Sequence, residues 1–538
     1  MSAQSGAAPA PALEPALGAK LSAQARRLGP RPFITLPDGA LSYADLDTLS
    51  DRFAAALAGH GYTAGDVVAV LCGNGIPLVV AWFACAKLGT IFMPVNTLLD
   101  GALLRAVLAH AGARFILCDR ARSPAVQAVR ADLPQLRDVI VATDAPPTDT
   151  TPFAAFLDEA ASTGITEIAR APEIDPARPG KLLYTSGTTG QPKGVLWSRA
   201  CESTHGAAYA RELLPISEGE GLYTCLPLAH VTAQGTVLAA LWGGGHVTVD
   251  ARFDPFRFWA RTRAANARAF TFVGTILSVL AQRPPRPDDA DNPVEWALGA
   301  ATPVAAWRDI ERRFGLTIIE TWGQTETASC WTAPSTLPQR PGTVGRAAPR
   351  FAATLVDEQG LEVAPGQVGE LWMCPRQPHV MFAGYLHEDA RSAWTADGWY
   401  RTGDLMTRTA DGDYTFQARL RDAIRRRGEL ISARAIEEAA LTHPAVLEAA
   451  AVGVPARDGV EEEVKLCVVP RAGMRLSPAE LSGRLEPLLP AFMRPRYIEL
   501  RADLPKTASS RVRKFLLTAE GTAASWERPR RRTSPDTG

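Results

Sequence analysis

The stretch Leu182-Leu183-Tyr184-Thr185-Ser186-Gly187-Thr188-Thr189-Gly190-Gln191-Pro192-Lys193-Gly194 sets the reading of the whole chain. An apolar run passes into hydroxyls and glycines and ends in Pro-Lys-Gly. Glycines let the backbone curl so that several N–H groups converge. The hydroxyls of Thr185, Ser186, Thr188 and Thr189 add donors that can follow a polyphosphate, Gly187 gives the bend, and Lys193 supplies a compact point charge. In chemical terms this is a triphosphate cradle. It is not a Walker A loop, because Gly-Lys-Ser/Thr is missing and Pro192 blocks a helix start at the lysine.

Lys193 also stands out by its residue type. The chain has only seven lysines, at 20, 87, 181, 193, 465, 506 and 514, against 50 arginines. A lysine kept in so arginine-rich a chain is a candidate for a place where a planar guanidinium does not serve.

Composition narrows the class. The chain has 538 residues, a prior of about three to four domains or subdomains at roughly 150 residues each. Lys and Arg balance Asp and Glu at 57 each, so the basic excess of a nucleic-acid or anionic-membrane binder is missing. Hydrophobic residues at 46% and charged residues at 21% suit a globular protein with sizeable cores. Eight cysteines without a CxxC pair, and histidines without HxxH spacing, argue against a disulfide scaffold and a zinc site. The uncharged stretches Val67–Ala86 and Gly221–Val249 are broken by Gly, Pro and His and do not read as membrane spans. No targeting segment is visible, and the expected compartment is the cytoplasm.

Along the chain, helix and strand patterns alternate. Ser42 with Asp45 reads as a capping box, followed by Leu46, Leu49, Phe53 and Leu57 at helical spacing. Val67–Leu71, Ile91–Val95, Phe115–Cys118 and Val139–Val141 read as buried strands, and Leu78–Lys87 as a helix. The expected class is α/β: a large N-terminal domain of mixed and parallel sheets with flanking helices, then a small α+β C-terminal domain. The expected division is a disordered N-terminus over 1–18, a large domain over 19–420, a small domain over 421–517, and a disordered basic tail over 518–538.

Further motifs follow in order: Pro227-Leu228-Ala229-His230, Gly299-Ala300-Ala301, Thr321-Trp322-Gly323-Gln324-Thr325-Glu326, Trp399-Tyr400-Arg401-Thr402-Gly403-Asp404 and Ala418-Arg419-Leu420-Arg421-Asp422. Together with the cradle they resemble the adenylate-forming superfamily of acyl-CoA synthetases, peptide-synthetase adenylation domains and luciferases, over about residues 30–517. The nearest look is to bacterial small-acid CoA ligases of the carnitine/crotonobetaine type. The resemblance implies roles. His230 lies between acid pocket and reaction centre. Ala300 belongs to the turn on adenine. The Trp322 ring stacks on the base beside Thr321 and Gly323, Thr325 meets the α-phosphate, and Glu326 holds Mg²⁺. Asp404 bonds the ribose hydroxyls, Arg419 lies near ribose and phosphate, and Gly428 lines a pantetheine tunnel after the small domain rotates. A flat π-face for a base, a hydroxyl for a phosphoryl oxygen and a hard carboxylate for a hard cation suit these roles. The resemblance further implies that residues 19–420 bind ATP and acid and that residues 421–517 are mobile, with ATP and Mg²⁺, a small-molecule acid, and CoA as co-substrates.

The chain departs from the family pattern at Ser510-Arg511, where a Gly-Lys is usual. Arg511 is the expected catalytic cation. Two other readings stand beside it: Arg513 or Lys514 supplies the charge, or the acid needs little help. A second departure is Trp197-Ser198-Arg199, where the family often has Thr-His. The leading function is an acid–CoA ligase for a small or aromatic acid. The alternative is an enzyme that adenylates nitrite and passes it to an arylamine. The acid pocket is expected between Trp296 and Trp322 on one side and His230, Thr232 and Gln234 on the other.

Overall fold

The computed structural model describes residues 13–143, 149–162, 175–186, 192–328, 332–333, 339–389, 392–420, 424–426, 429–431, 433–456, 462–506 and 512–529. It groups into two compact units, Met1–Ala352 with Cys374–Tyr400, and Ala353–Met373 with Arg401–Gly538. Compactness places residues 353–373 and 401–420 with the C-terminal residues. The domain boundary expected between 420 and 421 falls at residues 421–423, which lie outside the described residues.

Among the described residues, the first unit holds two large sheets. One runs in the order Gly384–Tyr385, Pro192–Ser198, Pro179–Ser186, Ile91–Pro94, Val67–Leu71, Phe115–Asp119, Asp138–Ala142, Thr151–Pro152. The other runs Thr317–Glu320, Trp296–Ala300, Ala267–Val273, Gly221–Thr224, His246–Val249, Pro32–Leu36, Gly39–Ser42. Both are parallel through their centres and antiparallel at one end. This is the α/β class expected from the alternating pattern.

The Val67–Leu71 strand shows why the core reads as an unbroken apolar run. Its Val68 and Val70 side chains join a core shared with the second sheet, and Ala69 and Leu71 join a separate core on the other face. A strand buried on both faces has no polar alternation to display. The shared core is filled by the helices Tyr43–Gly59, Ile76–Leu88 and Val231–Gly243. The first of these starts at the expected capping box: the Asp45 carboxylate accepts from Ser42 N at 2.9 Å, and Ser42 Oγ accepts from Asp45 N at 3.1 Å. The outer core is closed by Gly101–His110 and Ser123–Arg130 through Leu104, Val107, Leu108, Val126 and Val129.

The second unit carries a four-stranded sheet, Phe351–Val356, Gly369–Pro375, Tyr400–Arg408, Tyr414–Arg419, and a second one, Val446–Pro455, Glu462–Pro470, Tyr497–Leu500, Trp526–Glu527. The helices Ala433–Leu441 and Pro478–Leu485 pack on the latter. Strand and helix order here follow the expected α+β unit.

Regular structure reaches into both segments expected to be tails. A helix spans Leu17–Leu28 and buries Leu17, Leu21, Ala25 and Leu28. Its apolar spacing begins inside the Ala/Pro-rich segment, whose composition hides it. At the other end Trp526–Glu527 pairs antiparallel with Tyr497 and Ile498, against the expectation of disorder over 518–538. Residues 1–12 and 530–538 lie outside the described residues.

Candidate active site

Three site motifs come together at one edge. The strands Gly221–Thr224, Ala267–Val273, Trp296–Ala300 and Thr317–Glu320 are parallel neighbours, so the loops after them emerge side by side. Crevices at the carboxyl ends of parallel strands are where α/β sheets bind ligands. His230, Val273, Ala300, Ala301 and Gly323 are exposed there. His230 is the N-cap residue of the helix Val231–Gly243, and its N–H donates to Pro227 O at 3.0 Å. Thr321 donates from its backbone N and its hydroxyl to Gly299 O, at 2.8 and 3.3 Å. Trp322 is 7% exposed, so most of its ring is packed within the protein.

The turn at 300–302 is held by a residue the motifs did not single out. The two oxygens of Glu320, which is 4% exposed, accept from Ala301 N and Thr302 N at 2.8 Å each. Ala301 sits at φ 65, a left-handed conformation costly for a residue with a Cβ. Gly274 packs so closely that a Cβ there would lie 1.9 Å from Ala301 O. The carboxylate therefore holds a strained turn against a neighbouring loop.

The cradle is a hairpin. Pro179–Ser186 pairs antiparallel with Pro192–Ser198, with Thr185 opposite Lys193 and the Ser186 backbone opposite Pro192. Lys193 thus rides on a strand, as Pro192 requires. Gly187, Thr188 and Thr189 lie outside the described residues. The half-buried Lys193 ammonium stands 4.5 Å from the centroid of the Tyr385 ring and 3.4 Å from Glu388. Tyr385 Oη donates to Glu326 Oε1 at 3.0 Å. Burial, reinforced by the Glu326 charge, raises the pKa of Tyr385, so it stays a neutral donor. Phe382 N donates to Glu326 O at 2.9 Å, and Trp197 Nε1 donates to Thr325 O at 2.8 Å. The Thr325–Glu326 segment is thereby fixed beside the hairpin. A cation, a hydroxyl and a carboxylate in contact fit an anionic polyphosphate that arrives with a hard metal ion.

In the second unit Asp404, 1% exposed, lies opposite Arg419 across two strands, with Arg419 Nε 3.4 Å from its carboxylate. Two residues expected to share the ribose region therefore share one hairpin. Lys514 Nζ is 2.7 Å from Glu437, so this ammonium has a carboxylate of its own. Gly428, Arg421 and Arg511 lie outside the described residues.

Two pocket expectations need correction. Trp296 opens its strand, opposite Ala269 and Thr317, with Arg268 over its ring at 4.6 Å. Ala300 ends the same strand, and four residues at about 3.3 Å each put roughly 13 Å between them. Trp296 therefore belongs to the far edge of the sheet. Gln234 is fully buried, donating to Leu228 O at 2.7 Å and accepting from Lys181 Nζ at 2.6 Å, so it does not line an open cleft. Tyr385, Glu388 and Glu320 were missed from the sequence. Each acts through a neighbour distant in the chain, and none stands in a spacing that signals its role.

A phosphate hairpin beside a carboxylate, with loops gathered at the carboxyl edge of a parallel sheet, defines a nucleotide-binding α/β enzyme. Sequence comparison makes this specific. Residues 21–386 match the AMP-binding enzyme family and residues 435–511 match the AMP-binding enzyme C-terminal domain. The sulfoacetate–CoA ligase of Cupriavidus necator is 32% identical over 93% of this chain and 97% of its own. The indoleacetate–CoA ligase of Aromatoleum aromaticum is 31% identical over 89% and 93%. In fold, the chain is similar to an anthranilate CoA ligase solved with anthranoyl-AMP (TM-score 0.85, 22% identity, 95% and 98% covered). A benzoate CoA ligase from Burkholderia xenovorans gives a TM-score of 0.83 at 24% identity, with 94% and 99% covered. The chain belongs to the AMP-binding enzyme family and is an ATP-dependent, AMP-forming ligase, as its motifs implied. Among the described residues no helix is long and apolar enough to cross a membrane.

Proposed function

We propose that this enzyme joins a small or aromatic carboxylic acid to CoA. In the first half-reaction a carboxylate oxygen attacks the α-phosphorus of ATP, the bond to the β-phosphate oxygen breaks, and acyl-AMP and pyrophosphate form. In the second, the CoA sulfur attacks the acyl carbon, AMP leaves, and the thiol proton is released. The protein's share is positioning and charge neutralisation. Lys193 holds leaving phosphate oxygens, Thr325 orients the α-phosphate, and Asp404 with Arg419 serves the ribose. Arg511 bridges the attacking acid and the α-phosphate.

Glu326 fits Mg²⁺. It is a hard oxygen donor, and Mg²⁺ is commonly held by one or two carboxylates together with substrate phosphates. Among the described residues no group of three or more His, Cys, Asp or Glu could cage a metal alone, which agrees with an ion brought by the nucleotide. When bound, it would neutralise phosphate charge.

The observation that carries the reading is Lys193 and Glu326 meeting at Tyr385 beside the phosphate hairpin. A short acid is favoured by the filled interior behind His230. A Cβ on Gly235 would meet the Tyr209 ring at 2.4 Å, and Gln234 is locked in place one turn below His230. The acids named for the two relatives are one small, sulfoacetate, and one aromatic, indoleacetate.

Pyrophosphate release, measured with a panel of carboxylic acids with and without CoA, tests the proposal. Acid-dependent release with acyl-CoA formation supports it. Release with nitrite and an arylamine, and none with any acid, replaces it by the diazotising reading.

A further inference from the structure

Lys181 belongs to none of the motifs used above. It is one of the chain's seven lysines, and its side chain is 0% exposed. The strand that leads into the phosphate hairpin places its ammonium between two indole rings, 4.8 Å from the centroid of Trp82 and 5.2 Å from that of Trp197. Glu202 forms the ion pair, and Gln234 Oε1 accepts from Nζ at 2.6 Å. Glu202 also accepts from Trp82 Nε1 at 2.7 Å.

Two of these partners, Trp197 and Gln234, reach loops of the site. Trp197 donates to Thr325 O at 2.8 Å. Gln234 donates from its amide to Leu228 O at 2.7 Å and from its backbone to His230 O at 3.2 Å. Lys181 itself lies five residues before Ser186, on the first strand of the hairpin. One ammonium thus stands where the supports of three loops meet: the phosphate hairpin, Pro227–His230 and Thr325–Glu326.

Stability is a poor reason for such a group. Replacing a buried ion pair with apolar residues is often neutral or favourable, whereas fixing one arrangement is the best-attested use of buried charge. The compact ammonium offers three donors in a tetrahedral spread, which a longer planar guanidinium cannot place in the same slot between two rings.

We propose that Lys181 is a positioning residue for adenylation, fixing the Pro227–His230 and Thr325–Glu326 loops in register with the phosphate hairpin. This rests on reading those loops as the adenylation site. Misplacement by about 1 Å can cost on the order of 100-fold in rate.

The test compares Lys181→Met with Lys181→Met/Glu202→Gln, in which no charge is left unpaired. Acid-dependent ATP–pyrophosphate exchange and the thermal midpoint are measured for both. The expected result is a lowered midpoint in the single variant, recovered to within a few degrees in the double variant, with kcat for exchange about 100-fold down in both. A double variant that regains both midpoint and kcat overturns the proposal. Should it fail to fold, Gln234→Met decides, since it cuts only the link from Lys181 to Leu228. Exchange at least tenfold slower supports the proposal, and unchanged exchange overturns it. Failure of the site reading itself shows separately, as unchanged ATP kinetics in Lys193→Ala.

Discussion

Lys193 is held between a ring face and a carboxylate, Tyr385 and Glu388, so it waits in the free protein as a charged but displaceable partner. Pyrophosphate oxygens should take it from Glu388. A hydrogen bond to an ionised group contributes about 1.5–3 kcal/mol, so Lys193→Ala should raise the ATP KM and lower kcat by about 10- to 100-fold in all. Steady-state kinetics at varied ATP checks this, and unchanged values remove the cradle assignment. Glu320 holds the turn at 300–302, which the resemblance assigns to adenine. Glu320→Gln puts an amide NH₂ against one of two backbone donors, and a buried donor without its acceptor costs about 1–3 kcal/mol. The ATP KM should rise about tenfold. Adding Ala301→Gly removes the left-handed strain, worth about 1–2 kcal/mol, and should restore part of the loss. A KM that Glu320→Gln leaves unmoved would make the clamp irrelevant to nucleotide binding. Lys193 was legible from sequence because Pro-Lys-Gly fixes its setting. Glu320 was not, because its two partners follow a different strand.

The helix Arg199–Ala208 lies directly after the hairpin and is buried over most of its length. Its His205 ring packs against Trp197 and Tyr209, and Nε2 lies 3.2 Å from Val231 O. Burial pushes the His205 pKa down to about 3, with Lys181 adding to the fall. The unfolded chain binds this proton near pH 6.5 and the folded chain does not. Stability is therefore unaffected by this group above pH 6.5 and falls as pH drops from there toward 3, by about 1.4 kcal/mol per pH unit. Denaturant unfolding between pH 6.5 and 4.5 should show that slope, and His205→Phe should flatten it. An equal slope in both proteins would assign the acid sensitivity elsewhere. The pairing partner of this element is equally telling. Ser198 caps it by accepting from Cys201 N at 3.1 Å, so the Trp197-Ser198-Arg199 segment marks a strand end, a cap and a helix start. The sequence showed the departure from the family pattern there but not its use, because the partner of Trp197 is Thr325, 128 residues away.

At the scale of the molecule, two chemistries must share one enzyme. The C-terminal residues carry Arg511, whose expected task belongs to adenylation alone. Lys514, a candidate alongside Arg513, is engaged with Glu437. Arg511→Ala should slow acid-dependent ATP–pyrophosphate exchange by orders of magnitude, while chemically supplied acyl-AMP is still converted to acyl-CoA. Arg511→Lys separates drift from adaptation. Retained or improved exchange marks arginine as drift in an arginine-rich chain, and impaired exchange marks a site shaped for its own acid. Near-full exchange in Arg511→Ala refutes the assignment and makes Lys514 the next residue to replace.

The α/β class, the succession of helices and strands along the chain and the phosphate cradle were determined by the sequence alone. Apolar runs such as Val67–Leu71, the box at Ser42 and Asp45, and the Thr/Ser/Gly-rich segment ending in Pro192-Lys193-Gly194 depend on neighbours within a few residues. Periodicity and turn chemistry record such local demands. The meeting of Lys193 with Tyr385, of Glu320 with Ala301, and of Lys181 with Glu202 and Gln234 was decided only by the tertiary structure. So was the removal of Trp296 to the far edge of its sheet. Those arrangements depend on which strands become neighbours and which strand end faces the cleft. No short-range pattern encodes either, because both are settled when the sheets assemble and bury their faces.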